Sequence, residues 1–235
     1  MIDKIKYVKD LLSTSKNIVF MTGAGVSTHS GIPDYRSLNG LYSDNPEYML
    51  SEDCWENEYD KFMDFIKDKF LNILDVEPND IHKWIASFDN ATVITQNIDF
   101  LHQKAGSKNV ITYHGNINKW ICTGCELDFN LKSIDISTRC VCCNEKLKPD
   151  VVLYGQNIDS KNDSLAISAI EEADLIIVIG TSLKVFPFAG LLDFASLDKS
   201  KIILINNEVT ENYSKVYDVM FIGDALKTIK ELQEE

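Results

Sequence analysis

Chemistry in this 235-residue sequence concentrates at a glycine-rich loop, a cysteine quartet and several polar clusters after apolar runs. The loop Gly23-Ala24-Gly25-Val26-Ser27-Thr28 leaves the apolar stretch Ile18-Val19-Phe20. Such loops hold phosphate on free backbone N–H groups. This one lacks the last glycine of the dinucleotide fingerprint and the Gly-Lys-Ser/Thr of a P-loop. It continues instead into Gly31-Ile-Pro-Asp-Tyr35-Arg36-Ser37. The cysteines are spaced Cys122-x-x-Cys125, fourteen residues, Cys140-x-x-Cys143. Paired knuckles at that separation close a tetrahedron of thiolates on Zn²⁺. Four protein ligands leave no open position, so the expected metal is structural. Cys142 could compete for the fourth place, but Cys143 has the better spacing. Cys54 has no partner signal and reads as packed.

Of the four histidines, His82 and His102 fall in helical patterns and read as hydrogen-bonded structural residues, and His29 lies in the glycine-rich loop. His114 differs, because it follows the run Val110-Ile-Thr-Tyr and precedes Gly115. That is the carboxyl end of a strand, where open α/β sheets keep their ligand crevice. A general base is the functional reading there. Thr95-Gln96-Asn97-Ile98-Asp99 also ends a run. These residues either cap the next helix or offer amides and a carboxylate to ribose and carboxamide groups. Gly180-Thr181-Ser182 and Asn206-Asn207 end two further runs. Strand ends carrying small or amide residues fit a nucleotide lying across them. The acid expected about 20 residues after a Rossmann loop is missing, and Asn206 is the candidate to bind the ribose in its place.

The elements that must position these groups are short β-branched runs at 17–22, 91–95, 109–113, 150–154, 174–180, 201–206 and 217–222. Helical patterns intervene at 2–14, 58–73, 79–88, 98–105, 162–172 and 224–234. The run Asp174-Leu-Ile-Ile-Val-Ile-Gly180 has no polar alternation, which suits a strand buried on both faces of a parallel sheet. The alternation predicts an α/β protein, a Rossmann-like doubly wound parallel sheet over 1–114 and 150–235. Residues 115–149 break the rhythm and are expected to form a small inserted zinc-ribbon module.

Composition narrows the function. The net charge is −13, with 45% hydrophobic and 25% charged residues, ordinary for a globular domain. That field repels phosphate backbones and attracts basic peptides. No direct nucleic-acid partner is expected. No apolar run approaches the roughly 18 residues of a membrane span, and no basic-then-apolar leader is seen. A cytoplasmic location is the expectation, with the cysteines serving metal or free thiol.

In order, Gly23–Thr28, Gly31-Ile-Pro-Asp-Tyr-Arg-Ser37, Thr95-Gln-Asn-Ile-Asp99, His114-Gly115, the four cysteines and Gly180-Thr-Ser182 resemble the sirtuins, in their compact bacterial type. The resemblance runs from about Asn17 to Asp224. It implies an NAD-dependent protein-lysine deacylase with its substrate cleft between the Rossmann-like domain and the zinc ribbon. It implies that Gly23, Ala24, Gly25, Thr28 and Arg36 hold the NAD diphosphate and nicotinamide ribose, with Tyr35 beside the reactive sugar. Gln96 and Asn97 would face the ribose, Asn97 with His114 in the catalytic set. Ile98 and Asp99 would bind the carboxamide. Thr181, Ser182, Asn206, Asp224 and Ala225 would surround the adenosine end. Val151-Val152-Leu153-Tyr154-Gly155 looks like the strand that pairs with an acyl-lysine substrate by β-augmentation.

The implied chemistry starts when the acyl oxygen attacks the ribose as nicotinamide leaves. His114 then removes a ribose hydroxyl proton, and O-acyl-ADP-ribose and free lysine result. A neutral imidazole near the ordinary value of about 6.5 would suit that step. Two departures stand out: Phe100 where relatives carry a small or polar residue, and Gln156 where an acid is common. Relatives that prefer succinyl- or malonyl-lysine carry a Tyr and an Arg where this chain has Leu41 and Ser43, which predicts a preference for neutral acyl groups. The rival activity at the same NAD site is protein ADP-ribosylation.

Overall fold

The computed structural model describes residues 2–33 and 46–234. Tyr35, Arg36, Leu41 and Ser43 lie outside these residues. Six strands form one parallel sheet: β1 (Ile18–Thr22), β2 (Ala91–Thr95), β3 (Asn109–Thr112), β7 (Leu175–Ile179), β8 (Lys201–Asn206) and β9 (Val219–Ile222). Their order is β3-β2-β1-β7-β8-β9, so the winding reverses between β1 and β7. That reversal opens the crevice in which doubly wound sheets bind ligands.

Alternate residues of each strand feed opposite cores. Ile18, Phe20, Ile177, Ile203 and Ile205 pack on one side with Val8, Ile81, Trp84 and Ile229. These last come from α1 (Ile2–Thr14), α5 (Asp80–Ala86) and α9 (Ala225–Gln233). Val19, Met21, Ile176, Val178 and Leu204 pack on the other side with α8 (Ser160–Glu172) and the 3-10 helix Phe188–Phe194. All five residues of β7 are buried, which accounts for the absence of polar alternation in that run.

Residues 115–151 carry a second, antiparallel sheet ordered β5-β4-β6, from β4 (Gly115–Cys122), β5 (Asp128–Asn130) and β6 (Leu147–Val151). This corrects the expected strand 150–154. Its first residues end β6 in the small sheet, and no part of it joins the parallel sheet. The insertion also contains α7 (Leu131–Ile136), where little helical period was visible. Its core draws on a distant segment: Trp120, Leu131 and Leu147 pack with Cys54, Phe62, Met63 and Ile66. Those come from α3 (Glu52–Asn57) and α4 (Tyr59–Phe70), preceded by the single turn α2 (Pro46–Met49). The remaining helix is the short α6 (Leu101–Lys104). Among the described residues no helix is long and apolar enough to cross a membrane.

Candidate active site and metal centre

The glycine-rich loop does not lead into a regular helix. It turns through two short 3-10 segments, Ala24–Val26 and Thr28–Ser30, lying across the loop that follows β7. The Gly25 N–H donates to the Gly180 carbonyl at 2.9 Å. A Cβ on Gly25 would sit 2.8 Å from the Gly180 backbone, so only glycine permits this approach. The two strands flanking the reversal are thereby locked at their carboxyl ends.

Beside this lock opens a cleft of about 690 Å³. One wall carries the strand-end residues Ala24, Gly25, Gln96, Asn97, Ile98, Thr181, Ser182 and Asn206. The other carries Val151, Val152, Leu153, Tyr154 and Gly155, with His114 between the walls. The Gln96 amide donates to Thr181 Oγ1 at 3.3 Å, which bridges the loops after β2 and β7. Asn206 is buried and donates to the Glu208 carbonyl at 2.9 Å.

Not every candidate enters the cleft. Gly23 packs behind it, where a Cβ would meet Thr181 at 2.8 Å. Thr28 is exposed and donates to the Gly25 carbonyl. Asp224 caps α9 by accepting from Leu226 N and Lys227 N, and Ala225 begins that helix. Asp224 also contacts His29 Nε2 at 3.1 Å, which fastens the glycine-rich loop to the α9 N-terminus.

Asp99 lies apart, in a small pocket shared with Ser27, Ile32, Phe70 and Asn97. There Ser27, which sequence reasoning passed over, is the hub. Its hydroxyl donates to Asp99 Oδ2 at 2.6 Å and accepts from Asn97 Nδ2 at 3.0 Å. Asp99 Oδ1 accepts from Leu101 N at 3.0 Å. Burial pushes the Asp99 carboxyl above the usual carboxylate range, against the downward pull of these bonds. Behind Ser27 sit two fully buried histidines. His82 Nε2 lies 3.5 Å from Ser27 Oγ, His102 Nε2 lies 3.0 Å from Thr22 Oγ1, and the rings meet edge-on at 4.9 Å. Burial lowers both imidazoles, that of His82 to about 4.

His114 is half-buried against the rings of Tyr113 and Phe188. Burial lowers its imidazole to about 4, opposed by a hydrogen bond to the Gln96 backbone. The ordinary value expected from sequence is therefore not kept. The group is neutral through the physiological range, with margin. Its carbonyl accepts from Val152 N at 3.0 Å, so β3, β4 and the 151–155 segment meet at one residue.

The four predicted cysteines converge, with all four Sγ atoms within 4.8 Å of one another. Cys122 and Cys143 lie 3.4 Å apart, Cys125 and Cys140 3.5 Å. Thiolates about 2.3 Å from one ion sit close to those separations. Backbone N–H groups of Gly124, Cys125 and Cys142 point at the Cys122 and Cys140 sulfurs, which favours the thiolate form. The donor set thus fits a divalent metal held by four cysteines in a small insertion. Cys142 stands outside the quartet and is exposed, and Cys54 is buried and packed.

Comparison with known proteins agrees with this geometry. The Sir2 family profile matches residues 23–187. The chain is 41% identical over 231 residues to an NAD-dependent protein deacetylase of Listeria innocua, covering 96% of this chain and 99% of that one. It is 40% identical to an NAD-dependent protein deacetylase of Clostridium acetobutylicum, covering 97% and 99%. Among solved structures, Sir2 with a p53 peptide and NAD⁺ superposes with a TM-score of 0.87 at 32% identity over 97% of both chains. A Sir2 variant with deacetylated p53 peptide and 3′-O-acetyl ADP ribose reaches 0.90 at 32% identity, again over 97% of both.

Proposed function

This chain belongs to the Sir2 family, and from that premise we propose how its residues divide the work of an NAD-dependent protein-lysine deacetylase. The enzyme consumes NAD and an acetyl-lysine protein or peptide, and releases nicotinamide and O-acetyl-ADP-ribose. The observation that carries the assignment of roles is His114, neutral and half-buried between the strand-end wall and the 151–155 wall.

Bound NAD supplies an electrophilic ribose carbon and the hydroxyl that captures the acyl group. The loops at 23–28, 95–99, 180–182 and 206–208 bind it across the sheet reversal. In this reading Thr28 and Arg36 hold the diphosphate and nicotinamide ribose, Tyr35 lies beside the reactive sugar, and Asp224 and Ala225 serve the adenosine end. Asn97, held by Ser27, orients the ribose. Ile98 and Asp99 receive the carboxamide. Burial pushes the Asp99 carboxyl above the usual carboxylate range, and the Ser27 and Leu101 donors hold its two oxygens in place. One ring nitrogen of His114 bonds the Gln96 backbone, and the other accepts the ribose hydroxyl proton. The segment Val151–Gly155 binds substrate backbone, which confers affinity with little sequence demand.

The metal of the four-cysteine site is Zn²⁺ in this reading, because four thiolates at these separations suit it and leave no site for catalysis. We divide the chain into a Rossmann-like unit and a zinc-ribbon unit, with the boundary moved from 149 to 151 so that β6 stays in the small sheet, and place it in the reducing cytoplasm, where thiolates persist.

Acyl preference follows from Leu41 and Ser43. With no Arg there, a terminal carboxylate on the acyl chain would be buried unpaired, a cost of several kcal/mol. Acetyl- and propionyl-lysine should outrun succinyl-lysine by at least about tenfold. Rates on one peptide carrying each acyl group in turn check this. A succinyl rate equal to the acetyl rate would remove Leu41 and Ser43 from the argument.

A further inference from the structure

Gln156 follows the proposed substrate segment and does not face solvent as a free polar side chain. Its Oε1 accepts from Leu153 N at 3.2 Å, and its backbone N–H donates to the Leu153 carbonyl at 2.9 Å. Its Nε2 donates to Glu52 Oε1 at 2.9 Å. Glu52 lies 104 residues earlier, in the first turn of α3. Its own N–H donates to the Tyr154 carbonyl at 3.0 Å, and Tyr154 N donates to the Leu50 carbonyl at 2.9 Å. Backbone pairing and a side-chain clasp therefore both hold Glu52 against the end of the substrate wall. The second carboxylate oxygen, Oε2, is 3.9 Å from where a Cβ on Gly155 would stand. Gly155 itself is exposed and lines the cleft. Among the described residues no cationic side chain pairs with the Glu52 carboxylate. On the opposite rim, by contrast, Glu208 has Lys184 at 3.8 Å.

We propose that Glu52, fixed by Gln156, is a specificity-determining residue that selects a basic side chain flanking the acyl-lysine on the side of the peptide that passes Gly155. The inference rests on the deacetylase reading above. The backbone N–H groups of Val152, Leu153 and Tyr154 already have partners, so a peptide strand laid beside this segment pairs at Gly155 and carries its flanking side chains past it. The carboxylate there is held still before substrate arrives, so little side-chain entropy is lost when a cation docks. Gln156 brings no charge of its own, so its amide can orient Glu52 without repelling it. The overall charge of −13 steers the same class of peptide to the cleft at low salt.

The test is a set of acetyl-lysine peptides identical except for Arg, Gln or Glu at each position within three residues of the modified lysine, assayed on the full chain with NAD. The readout is the ratio of kcat/KM for Arg and Glu peptides. A partly exposed, pre-oriented carboxylate predicts a ratio of about three to ten at one flank, shrinking with added salt. Glu52→Gln, which can still accept from Gln156, should bring the ratio near one. Glu52→Lys should invert it, which mere loosening of the wall could not do. A wild-type ratio near one at every position, or the same ratio in wild type and both variants, overturns the proposal. Absence of turnover of the Gln-flanked peptide by the wild type would instead overturn the deacetylase reading on which it rests.

Discussion

His114 owes its behaviour to its neighbours. The rings of Tyr113 and Phe188 strip water from the imidazole, and the Gln96 backbone recovers only part of that loss. A base lowered to about 4 loses activity only as pH falls through that value. The acid limb of kcat/KM assigned to His114 should therefore lie well below 6.5, checked by comparing the pH profiles of wild type and variants. His114→Ala should lower deacetylation by roughly 10²- to 10⁴-fold while NAD still binds, measured by calorimetry beside the assay. The sequence disclosed His114 because strand ends are where ligands sit. It did not disclose Ser27, whose two partners lie 70 and 72 residues away; nothing local in a glycine-rich loop says which serine turns inward. His82 and His102 read as ordinary helical histidines, yet each has a buried Nδ1 without a hydrogen-bond partner among the described residues. In the unfolded chain they protonate near 6.5, but in the fold they stay neutral. Unfolding thus takes up protons between about 6.5 and the lowered values, and stability falls as pH falls through that window. Asp99, raised by burial, acts in the opposite sense, gaining stability as pH falls towards the ordinary carboxylate value, as one carboxyl against two imidazoles. For His82 alone the loss is on the order of 3 kcal/mol by pH 4. Melting at pH 7 and pH 5 should differ by several degrees, and His82→Gln should shrink the difference.

Elements set these residues by a few close backbone approaches. Gly115 has φ +88, and a Cβ there would lie 2.0 Å from the Asp150 carbonyl oxygen. It joins β4 to β6 directly after His114, so Gly115→Ala should destabilise the protein by at least about 2 kcal/mol and displace His114. Denaturation and deacetylation assays should fall together. Phe100 explains itself at this scale. It holds φ +65 at the start of α6 and is 40% exposed, a left-handed backbone that a glycine would adopt without strain. Phe100→Gly should be neutral or stabilising by up to about 1 kcal/mol, read as a rise in Tm. The parallel strands were legible because apolar β-branched runs buried on both faces have one common use. The 150–154 run misled because the same residues suit an antiparallel edge equally well. The turns at Pro46–Met49 and Glu52–Asn57 left no signal, being too short for a helical period to repeat.

At the scale of the molecule, the ends of one sheet supply one wall of the cleft, and the segment that leaves the insertion, 151–155, supplies the other. The four cysteines gather in the insertion as a metal site, while Trp120, Leu131 and Leu147 share a core with α3 and α4. Chelation should therefore free the 122–146 loops for proteolysis and reduce deacetylation without unfolding the parallel sheet. Cys143→Ser should lower metal content, and Cys142→Ser should leave it unchanged. In the proposed reaction, His114 and the strand-end loops transfer an acetyl group from lysine to the ribose of NAD. Mass spectrometry of one reaction, acetyl-lysine peptide plus NAD with wild type and His114→Ala, tests it most directly. The wild type should yield deacetylated peptide, nicotinamide and O-acetyl-ADP-ribose in equal amounts, and the variant almost no deacetylated peptide. ADP-ribose attached to the peptide, or free acetate formed without O-acetyl-ADP-ribose, would contradict it.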